Sequence, residues 1–271
     1  MANRTIAASP SASDRPLEIP PPPPLATHWR RAFRSMRELL DDPDDTAKAI
    51  DFFYAIGRRE FERSFQRFAA SPQGRALLAE QPDIAAALSD RAALAGMAAG
   101  SFGRAYLAFL ERNGFQSMGL LQLQREVEAR WDAEEGVPRL DPLRAWFRAR
   151  FILSHDLFHV LTGYGTDDVG EATLLAFGLG QVPGRGQLLL TLGAALEVRS
   201  ALGWRWLAYD WRAWRRGRSA AWLASTPWEE LLPLRLDTVR RLLAIAPERE
   251  AHPGGILAGT LHGPGAMPSV A

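Results

Sequence analysis

Apolar residues recur at spacings of three, four and seven along nearly the whole interior of this chain, and no strong alternating segment appears. That pattern suits amphipathic helices and gives a sheet little to build on. Ile50, Phe53, Tyr54, Phe61, Phe65 and Phe68 fit one helix, which Asp44 or Asp45 can cap. Asp141 followed by Pro142 is a helix start, a capping carboxylate before a proline at the first helical position. Leu143, Trp146, Phe147 and Phe151 carry that helix toward a stop near Gly163. Thr226, Pro227 and Glu229 mark another start, with Glu229 placed for a capping box. The expected fold class is all-α, a single helical-bundle domain over residues 28–249. Residues 1–27, with the run Pro20–Pro24, and the Gly/Pro-rich residues 250–271 read as disordered tails.

Composition removes several function classes. A formal net charge of +1 argues against a protein devoted to nucleic acid. The chain has no cysteine, so neither a disulfide framework nor a thiolate metal site can form. Lys48 is the only lysine, a bias that GC-rich bacterial coding produces. No apolar run follows the early charges, so a secretory signal is not expected. The most apolar stretch, Ala172 to Val198, is interrupted by Gln181, Pro183, Arg185 and Gln187 and is not a membrane span. Together these features predict a cytoplasmic protein of bacterial origin, peripheral to the inner membrane. Trp204, Arg205, Trp206, Trp211, Arg212, Trp214, Arg215, Arg216 and Arg218 crowd into one segment. Such interleaving suits an anionic membrane surface. It suits equally a core helix with snorkelling arginines.

The chemistry-bearing stretch runs from Ser154 to Glu171. His155 and His159 lie four apart, so both imidazoles project from one helix face and can share a metal. Asp156 can reach the same ion or orient a ligating imidazole. Gly163 and Gly165 permit a sharp turn, after which a helix beginning near Asp168 returns Glu171 as a fourth ligand. Two imidazoles and two carboxylates without sulfur suit a divalent metal, zinc (Zn2+) foremost, with iron or manganese (Fe2+, Mn2+) as alternatives. The competing readings are two core histidines with satisfied hydrogen bonds and a Glu171 that closes a capping box with Asp168. The other histidines, His28, His252 and His262, lie near the tails. A zincin protease needs Glu where this chain has Asp156, and His-Asp phosphohydrolases need an upstream histidine that is missing between Trp29 and Ser154.

The pattern His155-Asp156-x-x-His159, with eleven residues before Glu171, resembles the signature of the coenzyme Q biosynthesis protein four family. Flanking segments agree. They are Asp42-Pro43-Asp44-Asp45-Thr46, then Ser71-Pro72-Gln73-Gly74-Arg75-Ala76-Leu77-Leu78 with Gln81-Pro82. Gly100-Ser101-Phe102-Gly103-Arg104-Ala105-Tyr106 is similar to the family's small-residue turn before a Tyr-bearing helix. Trp228-Glu229-Glu230-Leu231-Leu232 and Val239-Arg240-Arg241-Leu242-Leu243 are similar to its closing segments, so the resemblance covers residues 35–247. It departs at Ile152, where the family often has arginine, while Arg150 is kept.

This resemblance implies a role in ubiquinone biosynthesis on a polyprenylated aromatic quinone precursor. The activity it implies is oxidative decarboxylation of a 4-hydroxybenzoate-type ring, with carboxyl replaced by hydroxyl at ring position one. The alternative is a non-catalytic prenyl-lipid-binding scaffold that organises the other ubiquinone biosynthesis enzymes at the membrane. A homodimer is compatible with either. Arg148 and Arg150 are the expected substrate-binding residues. On an unbroken helix Arg148 stands two turns before His155, where an extended guanidinium spans much of the gap to a ring carboxylate; the alternative is an exposed arginine on a solvated helix face.

Overall fold

A computed structural model describes residues 18–42, 45–259 and 269–270. It opens with six helices of six to 13 residues: α1 (Trp29–Asp41), α2 (Thr46–Ile56), α3 (Arg58–Ala70), α4 (Pro72–Glu80), α5 (Ile84–Ser89) and α6 (Arg91–Gly96). Next come α7 (Phe102–Asn113), α8 (Gly119–Glu135) and α9 (Pro142–Leu153). The remainder comprises α10 (His155–Thr162), α11 (Asp168–Gln181), α12 (Arg185–Leu202), α13 (Arg205–Ser219), α14 (Trp228–Leu231), α15 (Leu236–Leu242) and α16 (Glu248–Ala251). The fold is all-α. Among the described residues the strands are a two-residue pair, β1 (Leu257–Ala258) against β2 (Ser269–Val270).

Side-chain caps explain where many helices begin. Asp45 accepts from Ala47, Ser71 from Gly74, Asp83 from Ala86, Asp90 from Ala93 and Ser101 from Arg104. Asp141 accepts from the amides of Leu143 and Arg144, with Pro142 in the first turn as expected. The other expected cap, Asp44, lies outside the described residues.

Three expectations need correction. The helix read through Ile50 to Phe68 breaks at Gly57, whose φ of −91° and ψ of 4° leave the helical well. The helix read from Asp141 to Gly163 breaks at Ser154, between α9 and α10. Glu229 closes no capping box, because its carboxylate accepts two hydrogen bonds from Arg150, at 2.6 and 2.8 Å.

Residues 18–27 and 250–259, expected in the tails, are held against the domain. Pro20 and Leu25 offer carbonyls to Arg144 and Arg59. His252 and Ile256 are buried. The rest of both expected tails is outside the described residues, the pair 269–270 excepted.

The largest apolar cluster joins α7, α10, α11, α14 and α15 through Tyr106, Leu110, Leu157, Leu161, Phe177, Trp228 and Val239. Behind it α11 and α13 touch backbone to backbone. A methyl group on Gly217 would strike the Phe177 carbonyl, and one on Gly180 would lie 2.5 Å from the Trp214 carbonyl. Arginines join the other helices. Arg144 is fully buried and donates to both Glu62 oxygens at 2.7 Å and to Asp141 at 2.8 Å, tying α9 to α3. Replacing Arg144 by Met should strand the buried Glu62 charge. The expected cost is about 3–5 kcal/mol, read as a fall in denaturation midpoint.

Candidate metal centre

The break at Ser154 sets the geometry of the centre. Its hydroxyl donates to the Phe151 carbonyl at 2.7 Å, and its own carbonyl accepts from Phe158 at 3.2 Å as α10 begins. His155 and His159 then sit one turn apart with ring centroids 4.9 Å from each other. The helix ends at Gly163, whose φ of +79° reverses the chain. The return is tight, for a methyl group on Gly170 would strike the Gly165 carbonyl. Asp167 caps α11 by accepting from Gly170 at 3.1 Å. Glu171 thus falls just beyond the cap and is free to face α10. The capping-box alternative for Glu171 is not what the structure shows.

His155, His159 and Glu171 each bring one ligand atom into a group whose members lie within 4.8 Å of one another. His159 is 2% exposed, and its Nδ1 lies 3.1 Å from the Tyr164 carbonyl. A carbonyl only accepts, so Nδ1 carries a proton, which leaves Nε2 as the nitrogen available to a ligand. That Nε2 is buried without a hydrogen-bond partner, facing Glu171 Oε1 at 3.2 Å. A lone pair beside a carboxylate oxygen needs a cation to serve both, a proton in the metal-free protein or a divalent metal, and the donor set fits the metal as well as the proton. His155 Nε2 lies 3.8 Å from Glu171 Oε2, while its Nδ1 lies 3.5 Å from Asp156 Oδ1. Asp156 therefore stands beside the first imidazole and is not one of the three gathered donors.

The charges agree with this arrangement. The ring of His155 is two-fifths open to solvent but closely surrounded. Desolvation lowers its pKa, and Asp156 and Glu171 outweigh that and hold it above the ordinary value. Burial raises the Glu171 pKa, and His159 and His155 pull it below the usual carboxylate range.

Arg148 and Arg150 are occupied elsewhere. Arg150 forks onto Glu229 and donates to the Thr226 carbonyl at 2.8 Å. Arg148 donates to Glu128 at 2.7 Å and covers the rings of Phe61 and Tyr54. The break at Ser154 also removes the unbroken helix on which the reach of Arg148 was reckoned. Sequence reasoning missed Phe109, which stacks on His159 at 5.5 Å and 18°. Only its place three residues after Tyr106 on one helix hinted at that role.

The family model described as "Coenzyme Q (ubiquinone) biosynthesis protein Coq4" matches residues 40–124. The chain is similar to the Coq4 proteins. A Yarrowia lipolytica protein named ubiquinone biosynthesis protein COQ4, mitochondrial, is 31% identical over 64% of this chain and 62% of its own length. The Leishmania infantum COQ4 homolog is 26% identical over 66% of this chain and 91% of its own. The Aspergillus flavus coq4 protein is 29% identical over 65% of this chain, which spans 57% of that relative's length. A crystal structure from Nostoc punctiforme PCC 73102, described as a candidate ubiquinone biosynthesis protein, matches with TM-score 0.57. It covers 82% of this chain and all of its own at 17% identity, which shows a shared fold.

These names correct the expected location. The fungal and Leishmania relatives are called mitochondrial, which contradicts a cytoplasmic bacterial protein.

In metal-free protein, His155 contributes stability that is full below 6.5 and is lost as pH rises through its raised folded value. Glu171 contributes stability that is full above 4.5 and is lost as pH falls through its lowered folded value. The Tm difference between wild type and Glu171→Gln, measured with chelator, should therefore be greatest between pH 4.5 and 6.5.

Proposed function

We propose that this protein acts in ubiquinone biosynthesis as a metal-dependent oxidative decarboxylase of a polyprenylated 4-hydroxybenzoate-type intermediate. The relatives' names support the pathway. The observation that carries the metal reading is the buried, unpartnered His159 Nε2 facing Glu171 at 3.2 Å. Three gathered donors favour catalysis over a closed structural site, which four protein ligands normally complete.

His155, His159 and Glu171 would hold the ion, with Asp156 fixing the His155 ring from its far nitrogen. A divalent ion bound there, zinc, iron or manganese, supplies a Lewis acid and a template for the ring's carboxylate or phenolate. Overall the ring releases carbon dioxide and gains a hydroxyl. Balanced with one water, that change yields two protons and two electrons, and an oxidant of the dioxygen class accepts the electrons. Glu171, 42% exposed, can hold a released proton at Oε2. His159 is locked by the Tyr164 carbonyl and keeps its ring orientation throughout.

The prenylated substrate calls for a membrane surface, and α12 and α13 offer a face for one. Leu188, Leu192 and Leu196 form an exposed stripe on α12 with Leu189 beside it, and Trp204 just before α13 and Leu207 and Trp211 on it are exposed as well. Arg199 covers the Trp204 ring at 3.9 Å, and Arg215 covers Trp211 at 4.9 Å. Of the segment's arginines, Arg216 is instead buried on the Thr162 and Ala246 carbonyls. No helix among the described residues is long and apolar enough to cross a membrane.

Two experiments test these readings. His155→Ala or His159→Ala should remove most bound zinc, iron or manganese, measured by elemental analysis after metal loading, and should abolish turnover of a prenylated hydroxybenzoate. Unchanged metal in both variants would refute the centre. Replacing Arg212, Arg215 and Arg218 with Gln should weaken binding to phosphatidylserine vesicles. At about 1 kcal/mol per arginine the loss is on the order of a hundredfold, and salt should weaken the wild type as well.

A further inference from the structure

Arg58 opens α3 and is only 7% exposed, yet its guanidinium makes no hydrogen bond or ion pair among the described residues. The other buried arginines, Arg31, Arg144, Arg150 and Arg216, all donate to a carboxylate or to backbone carbonyls. A buried charge is costly unless an opposite charge or hydrogen bonds offset it. The acids of α3 are engaged elsewhere. Glu62, one turn on, takes Arg144 on both oxygens and accepts from Gln66 at 2.7 Å. Glu60 accepts from Arg63 at 3.2 Å and from the Arg185 amide at 3.3 Å. What shares the Tyr54 ring with Arg58 is a second cation. The Arg58 guanidinium carbon lies 5.6 Å from that ring, and the Arg148 carbon, from α9, lies 4.9 Å from it. Burial first, against an opposing pull from Tyr54, and then the charge of Arg148 hold the Arg58 pKa below its ordinary value, with no carboxylate to offset them.

We propose that Arg58 anchors a binding site for a phosphate-class oxyanion at the α2–α3 turn, with Arg148 as its second cation. A phosphate monoester is close to doubly charged at neutral pH and so suits two guanidiniums. The planar arginine fork fits its oxygens in pairs. Tyr54, itself 7% exposed, walls the site with apolar carbon, where a charged contact is stronger than in water. The Arg148 side chain is 13% exposed, so both cations keep a path to solvent along which a small anion can enter. Glu128, which accepts from Arg148 at 2.7 Å, competes with the anion for that guanidinium. The same chemistry serves a free phosphate and a lipid phosphate head group, and the experiment separates the two.

The test is phosphate binding by the full chain at fixed ionic strength, with chloride as the control anion, read by calorimetry and by Tm. Inorganic phosphate should bind the wild type and raise its Tm, and Arg58→Met should weaken that binding at least about tenfold. In oxyanion-free buffer Arg58→Met should melt no lower than wild type, because it removes a buried charge without stranding an opposite one. Glu128→Gln frees Arg148 and should bind phosphate more tightly, which tests the site even if Arg58→Met does not fold. Vesicles supply the lipid arm. Binding to phosphatidate, a phosphate monoester, above phosphatidylserine at equal surface charge, lost in Arg58→Met and matched by no binding of inorganic phosphate, assigns the lipid source. A wild type that distinguishes neither phosphate from chloride nor phosphatidate from phosphatidylserine overturns the proposal. Equal binding in wild type and Arg58→Met overturns it, as does a lower Tm of Arg58→Met in oxyanion-free buffer, since the protein alone would then hold the cation. Unchanged or weaker binding of the wild type's ligand in Glu128→Gln overturns it too, because Arg148 would take no part.

Discussion

Helix α10 spans eight residues, too few to hold a helix in water, yet it carries both histidines of the centre. Its last carbonyls are held by arginines from two later helices. Arg216 of α13 donates to Thr162 at 2.7 Å, and Arg240 of α15 donates to Leu161 at 2.9 Å and to Val160 at 3.3 Å. Two cations at a helix C-terminus satisfy orphan carbonyls and oppose the negative end of the dipole. Glu248 accepts from Arg240 at 2.7 Å and lies 3.9 Å from Arg216, so one carboxylate keeps the two guanidiniums together. The orientation of His159 thus depends on residues more than fifty positions downstream.

Arginine is used the same way across the molecule. Arg31 forks onto Asp51, which also accepts from Trp131 at 2.8 Å and from Ser35, and the guanidinium lies 4.0 Å over the Trp131 ring. Arg144 joins α3 to α9, and Arg150 joins α9 to α14. Buried pairs of this kind contribute little net stability, because desolvation offsets much of the Coulomb gain. Breaking one is costly, and that asymmetry selects a single register for short helices whose apolar faces alone would tolerate several. The planar fork of arginine suits the work better than lysine. The near absence of lysine therefore has a structural correlate as well as a compositional one.

What was legible in the sequence was local. The i, i+4 spacing of His155 and His159, the Asp141-Pro142 start and the turn before Glu171 each depend on residues a few positions apart. What was not legible depends on distant partners. Arg148 and Arg150 looked like substrate anchors because their partners, Glu128 and Glu229, lie 20 and 79 residues away. The break at Ser154 had no glycine or proline to announce it. His252 looked like a tail residue, yet its Nε2 lies 2.9 Å from the Tyr164 hydroxyl, and burial pushes its pKa down to about 4. Tyr164 is the residue whose carbonyl fixes His159, so a segment read as irregular reaches the centre at one remove.

The family match and the donor residues fall on different parts of the chain, and the fold explains how they belong together. The match ends at residue 124, before the first histidine of the centre. Its last complete helix is α7, which supplies the Phe109 ring against His159 and the Asn113 amide oxygen to Thr166. The start of α7 is pinned from the other end of the chain. The amides of Phe102 and Gly103 donate to the carbonyls of Leu234 at 2.7 Å and Leu232 at 2.8 Å. Gly103 permits that approach, since a methyl group there would strike the Met97 sulfur and lie 3.2 Å from the Leu232 carbonyl. The small-residue turn from Gly100 to Gly103 therefore does more than begin a helix. It seats α7 between the closing helices and the donor hairpin, so a segment that supplies none of the three gathered donors sets the wall against which they are aligned.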